Sequence, residues 1–349
     1  MKNLSSHKIL VVRNDKLGDF MLSLPVFKLL KQALPGCTLH ALVPGYTRDI
    51  ALACDAIDDV VIDPGKQAPY AQQSQLLTTI KQQKYDGVIT LFSTSRIALL
   101  LWLARIPYRL APATKLAQIF YNHRLVQRRS YSLKPEYRYN LDLAVHYLQH
   151  HNITPDVEPA PPYLQFPRNC VVEQKQAFLK ACNIDGDPEL VIVHPGSGGS
   201  ANNLSLEQYA RLIHRLNLDD NYHLVITAGP GEYPVAESLS MLLEGIPHSI
   251  YDSQQGLVNF AQFLQNAALF ISGSTGPLHI AGALDRPTAA FYPRKRSSTA
   301  LRWQTLSREA RRLGFMPPEQ AEAEDMQSID IEAAANLIAE KLLPANKRQ

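Results

Sequence analysis

Cysteine is scarce and unpatterned. The 349 residues hold four, Cys37, Cys54, Cys170 and Cys182, with no Cys-x-x-Cys pair among them. That argues against a disulfide scaffold and fits a reduced, cytoplasmic compartment. Long hydrophobic runs are missing too. The longest strongly apolar stretch, 97–106, is interrupted by Arg105, so it falls short of the roughly 20 residues a membrane-spanning helix needs. Residues 1–7 are polar and lead directly into a strand pattern, without the apolar core and small-residue cleavage site of a signal peptide. The expectation is a cytoplasmic protein that at most touches a membrane surface. Nor does either charge dominate: 35 Lys and Arg against 32 Asp and Glu leave a net +3. A nucleic-acid coat is therefore not expected, and any basic surface must be local. Apolar residues are plentiful at 46%, with 19% charged. That is globular composition, in a chain long enough for about two domains.

The pattern along the chain is β-α alternation, and it occurs twice. Lys8-Ile-Leu-Val-Val12 reads as a buried parallel strand, a polar turn follows, and 20–34 reads as one amphipathic helix ending at Pro35-Gly36. Strands at 38–43, 60–62 and 87–92 continue the series. Five prolines between 155 and 167 mark an extended connection. Beyond them come strands at 189–193, 223–227, 269–272 and 288–292, the last closing the set, and a final amphipathic helix at 330–343. The alternation predicts an α/β fold of two Rossmann-like halves, each a parallel sheet covered by helices. In such sheets ligands bind outside the carboxyl ends of the strands, so the site is expected in the cleft between the halves.

Three turns could carry chemistry. Ser272-Gly-Ser-Thr-Gly-Pro-Leu-His279 follows a strand and opens a helix. Its first amides, the Ser274 and Thr275 hydroxyls, Gly276 and, one turn in, His279 could together receive a phosphate; the plainer alternative is an ordinary N-cap by Ser274 or Thr275. His194-Pro-Gly-Ser-Gly-Gly-Ser200, with Ser197 and Gly198, has the same strand-to-helix setting but is neither a Walker A loop nor Gly-x-Gly-x-x-Gly. A nicotinamide-dependent oxidoreductase is accordingly disfavoured. Glu232, after a Gly-Pro-Gly turn, could accept hydrogen bonds from a ribose or be a solvated loop acid. In the first half, Gly18 and Asp19 open the first helix. Asp19 is either a favourable partner of the helix dipole or a general base.

The charge anomaly is 96–138, where Arg96, Arg105, Arg109, Lys115, Arg124, Arg128, Arg129, Lys134 and Arg138 face a single acid, Glu136, with tyrosines interleaved. This suits an anionic partner such as a phosphorylated glycolipid or a membrane face, or else a solvated surface with a few ion pairs. No metal site is expected. Asp185-Gly-Asp187 fits turn chemistry, and the histidines lack zinc spacing.

Together these motifs resemble glycosyltransferase family 9, the heptosyltransferases of bacterial lipopolysaccharide assembly. The resemblance rests on Arg13-Asn-Asp-Lys-Leu-Gly-Asp-Phe-Met-Leu-Ser-Leu-Pro25, on His194-Pro-Gly-Ser-Gly-Gly199, and on Ser274-Thr-Gly-Pro-Leu-His-Ile-Ala281 with Ala283-Leu-Asp-Arg-Pro287. It implies a GT-B fold: an acceptor domain at 1–160, a nucleotide-sugar domain at 168–329, and a last helix, 330–349, packing back on the N-terminal domain. It also implies inverting, metal-independent transfer without a cofactor, from a nucleotide-sugar co-substrate expected to be ADP-heptose, to a phosphorylated glycolipid or glycan at the inner membrane face. Asp19 matches the family's proposed base. Gly18, Ser197, Gly198, Asn202, Glu232, Ser274, Thr275, Gly276 and His279 fall at donor positions, and Arg96, Arg105, Arg124 and Arg128 are expected to meet the acceptor. Two departures bear on the donor: Asn202-Asn203 stands where the family has a lysine, and Ser274 where it often has Asp. A non-catalytic sugar-nucleotide or glycan binder on the same fold is the competing reading.

Overall fold

A computed structural model describes residues 6–114, 116–199 and 202–343. Lys115 and Ser200, both used above, and the tail of the last segment, 344–349, lie outside the described residues. The chain divides into two compact units. One runs to Arg129 and resumes over Lys134–Leu164; the other takes Ser130–Leu133 and the chain from Gln165 onward.

The first unit is built from β1 (Lys8–Val12), α1 (Leu17–Met21), α2 (Leu24–Ala33), β2 (Thr38–Pro44), α3 (Arg48–Leu52), β3 (Asp59–Asp63), α4 (Tyr70–Gln83), β4 (Gly87–Thr90), α5 (Ser95–Leu103), β5 (Tyr108–Pro112), β6 (His123–Leu125) and α6 (Glu136–His150). Its six strands are parallel, in the order β3-β2-β1-β4-β5-β6. The β1 strand is central, which is why its side chains are apolar toward both faces. The order reverses between β1 and β4, so the loops after these two strands open a crevice at the carboxyl ends. The single helix expected at 20–34 is two. Pro25 has no N–H to give within a continuous helix, and it sits instead in the first turn of α2.

The second unit repeats the plan with α7 (Arg168–Ala181), β7 (Glu189–His194), α8 (Leu206–Leu216), β8 (Tyr222–Ala228), α9 (Tyr233–Met241), β9 (His248–Asp252), α10 (Leu257–Leu264), β10 (Ala267–Gly273), α11 (Gly276–Ala283), β11 (Thr288–Phe291), β12 (Arg312–Phe315) and α12 (Ile331–Leu342). Its parallel order, β12-β11-β10-β7-β8-β9, has the same reversal, between β7 and β10. The strand at β11 does not close the set: β12 pairs outside it.

The last helix, α12, lays Ile331, Ala334, Ala335, Ile338 and Leu342 into the core of the second unit, with Tyr209, Leu212 and Ile213 of α8. Its apolar stripe matches that of α8, which runs beside it and is fixed at its start by a Ser205–Gln208 capping box.

Candidate active site

Arg13 is the first residue after β1, and it is 2% exposed. Its guanidinium donates to Asp15 (2.9 Å), to Asp19, and to Glu136 and Asn140 of α6 (3.2 Å each). Glu136 is equally buried and takes a second cation, Arg129, at 2.7 Å. Burial alone opposes the Arg13 charge. The three carboxylates outweigh it and hold the pKa above its ordinary value.

Asp19 lies within α1. Burial pushes its carboxyl up to about 6, with Arg13 pulling down and Asp15 and Glu136 pushing further up. A carboxylate of that basicity, largely ionised at neutral pH, is suited to take a proton from a hydroxyl. Neighbouring Gly18 accepts the Leu22 amide on its carbonyl and so belongs to the turn that carries Asp19.

In the second unit, Asn203 fixes the loop after β7 and lies close beside Gly273 at the end of β10. Its side chain donates to the Pro195 carbonyl (2.8 Å) and accepts from the Tyr209 hydroxyl (2.6 Å). Glu232 is no loose loop acid. Its carboxylate accepts the amides of Gly198 (2.8 Å) and Gly229 (3.1 Å) and stands 3.5 Å from His194. Burial lowers the His194 pKa despite Glu232. A Cβ at Gly196 would lie 2.4 Å from the Glu232 carboxyl, so a side chain there would push that carboxyl aside. Ser197 is half-buried in the same loop, while Gly198 is exposed and left-handed at φ +53°. Asn202 reaches Glu324 at 3.4 Å.

At α11 the N-cap is Thr275, whose hydroxyl accepts the Leu278 amide and meets Ser272 at 3.0 Å. Capping therefore falls to Thr275, with the half-buried Ser274 just before it and Gly276 opening the helix. His279 is buried, its Nδ1 has no hydrogen-bond partner, and burial lowers its pKa to about 4. Its ring is therefore neutral near neutral pH and could offer a partner an N–H but no positive charge. The Asp285 of the downstream motif is structural: it receives the Arg308 amide and guanidinium and closes α11 at φ +57°.

The four arginines expected to meet the acceptor are scattered within the first unit. Arg96 donates to Asp63, which also takes the Asn14 side chain, so it stands at the rim of the β1 loop. Arg128 follows β6 toward the same end of the sheet, and Arg124 lies on β6. Arg105 joins α5 to β5 and so lies at the amino ends of the strands, away from that rim. Sequence reasoning passed over Arg13, Arg129, Glu136 and Asn140. One signal was present: Glu136 is the only acid in 96–138, and a lone acid in a basic stretch is a natural bridging partner.

The family description "Glycosyltransferase family 9 (heptosyltransferase)" matches residues 74–330. A Haemophilus influenzae protein named "Putative glycosyltransferase" is 46% identical over 333 residues, 95% of each chain. Among solved structures, the E. coli ADP-heptose lipopolysaccharide heptosyltransferase II superposes with TM-score 0.76 at 16% identity, covering 96% of this chain and 98% of that one. An E. coli heptosyltransferase with ADP gives 0.71 at 19%, covering 96% and 99%. These likenesses give the fold, a GT-B arrangement of two Rossmann-type units. With a family match over most of its length and a near full-length relative at 46% identity, the chain belongs to glycosyltransferase family 9 and is a glycosyltransferase of the heptosyltransferase type.

Proposed function

We propose that the enzyme transfers a heptose from ADP-heptose to a saccharide of the lipopolysaccharide core, with inversion at the anomeric carbon and without a metal. The observation that carries this is Asp19: a carboxyl raised to about 6 by burial, yet tied to Arg13 in one orientation. Asp19 takes the proton of the acceptor hydroxyl as that oxygen bonds to the anomeric carbon. The bond from that carbon to the nucleotide diphosphate breaks on the opposite face, and the electron pair leaves on the diphosphate oxygen. No covalent enzyme intermediate forms, so the configuration inverts. In the second unit, the amide of Gly276, the Ser274 hydroxyl and a neutral His279 receive the departing charge. The ADP-bound E. coli structure and the heptosyltransferase name of the family support the choice of donor.

The test is a thermal-shift panel of nucleotide diphosphates joined to a transfer assay on lipopolysaccharide core acceptors. ADP is expected to stabilise the protein more than UDP or GDP, and ADP-heptose to be consumed only with acceptor present. Stabilisation without transfer to any acceptor would favour the binding-protein reading instead. No response to any nucleotide would sink both.

A further inference from the structure

The outer surface of α5 is apolar, not polar. Its inner side, Ile97, Ala98, Leu100 and Leu101, fills the core beneath it. A helix on a soluble surface presents polar residues on the opposite side, as α4 does with its glutamines. The outer side of α5 instead carries Leu99, Trp102 and Leu103, all exposed. Next to it packs the short helical turn Leu116–Phe120, whose Phe120 ring lies 5.9 Å from that of Trp102. That turn adds Leu116, 84% exposed, and Ile119, 70% exposed. Five large apolar side chains thus make one projecting patch, larger than chance exposure of single residues produces.

The charge around the patch says what covers it. Between Asp86 and Glu136 the chain has no acidic residue, but it has six arginines and two lysines: Arg96, Arg105, Arg109, Arg124, Arg128 and Arg129 with Lys115 and Lys134. Arg105 is exposed at the end of α5, and Arg109 donates to the Phe120 carbonyl at 2.9 Å, beside the patch. An apolar face with Arg105 and Arg109 at its margin, in a stretch of chain without acids, is the complement of a lipid surface with anionic headgroups. A protein partner of mixed charge would not require the acids to be absent over such a stretch. No described helix is long and apolar enough to cross a membrane, so the contact is one of lying on the surface.

We infer that the outer face of α5 and the adjoining turn dock the enzyme on an anionic membrane, with Trp102, Leu116 and Ile119 entering the headgroup layer and Arg105 and Arg109 pairing with lipid phosphates. This rests on the proposed function, because a lipid-anchored acceptor is what would make such docking useful, but it is tested independently. Full-length protein is sedimented with vesicles of phosphatidylglycerol and phosphatidylcholine, and with vesicles of phosphatidylcholine alone. Binding is expected to the first only, to weaken at high salt, and to blue-shift tryptophan emission. L116E/I119E should lose binding by tenfold or more and R105E by roughly fivefold, while ADP stabilisation and transfer to a delipidated core saccharide stay at parent levels in L116E/I119E. Equal binding of parent and L116E/I119E, or no binding of the parent, would overturn the inference. So would a parent dimer that L116E/I119E splits, since the patch would then be an interface between copies. Vesicle binding with no transfer to any acceptor would overturn the proposed function and leave the docking face standing.

Discussion

At the scale of single residues, the chemistry turns on one carboxyl and its neighbours. Asp19→Asn is expected to reduce transfer by about 10²–10⁴-fold with ADP stabilisation unchanged; near-parent turnover would remove Asp19 from the mechanism. In the parent, kcat/KM should rise with pH along a limb centred at about 6, where Asp19 ionises. Glu136 pushes that ionisation upward, so Glu136→Gln should move the limb to lower pH, provided circular dichroism shows an intact fold. The same shift has a stability consequence. A carboxyl with a raised native pKa favours folding in its protonated form; that stabilisation is complete below about 3.8 and lost as pH rises through about 6. Asp19→Asn should therefore melt above the parent at pH 7.5, with the gap closing toward pH 4. Asp19 was legible in the sequence because it opens a helix within a motif. Its cage was not, because Arg13 meets Glu136 across 123 positions, a pairing no local pattern encodes.

At the scale of elements, the candidate donor site depends on how closely two strand ends approach. A Cβ on Gly273 would stand 2.5 Å from the Asn203 side-chain oxygen. That oxygen is already engaged by the Tyr209 hydroxyl and the Leu204 amide. Gly273→Ala must therefore displace Asn203 and the loop it holds, at about 1–3 kcal/mol in stability. ADP binding measured by calorimetry should weaken at least tenfold, about 1.4 kcal/mol; unchanged affinity would show that the Asn203 link does not shape the nucleotide site. Sequence pattern located β1, β7, β8 and β10, since inner parallel strands are uniformly apolar. It passed over the inner strand β5, where Arg109 interrupts the apolar pattern, and β6, β9 and β12, edge strands such as His123-Arg-Leu125 that carry polar residues because one side faces solvent. It could place Asn203 where the family has a lysine, but not show that this side chain packs against Gly273 at the end of β10.

At the scale of the whole molecule, repeated β-α alternation made the two Rossmann-type units readable, because alternation is periodic and each unit begins with an apolar strand. The destination of α12 was not readable. An amphipathic stripe states that a helix buries one face; it does not state against what. In the structure, Ile338 is fully buried in the core that also holds Val191 and Val193 of β7 and Leu224 and Ile226 of β8. None of these side chains belongs to the core of the first unit, built around Leu10, Val12 and Val88. Ile338→Ala leaves a cavity and should destabilise by about 2–5 kcal/mol, and the loss should be local in its readout. Hydrogen exchange by mass spectrometry is expected to quicken in β7 and β8 and to stay at parent rates in β1 and β4, with saturating ADP restoring part of the protection. If exchange quickened in β1 and β4 instead, α12 would be supporting the first unit, as the resemblance to the family first suggested.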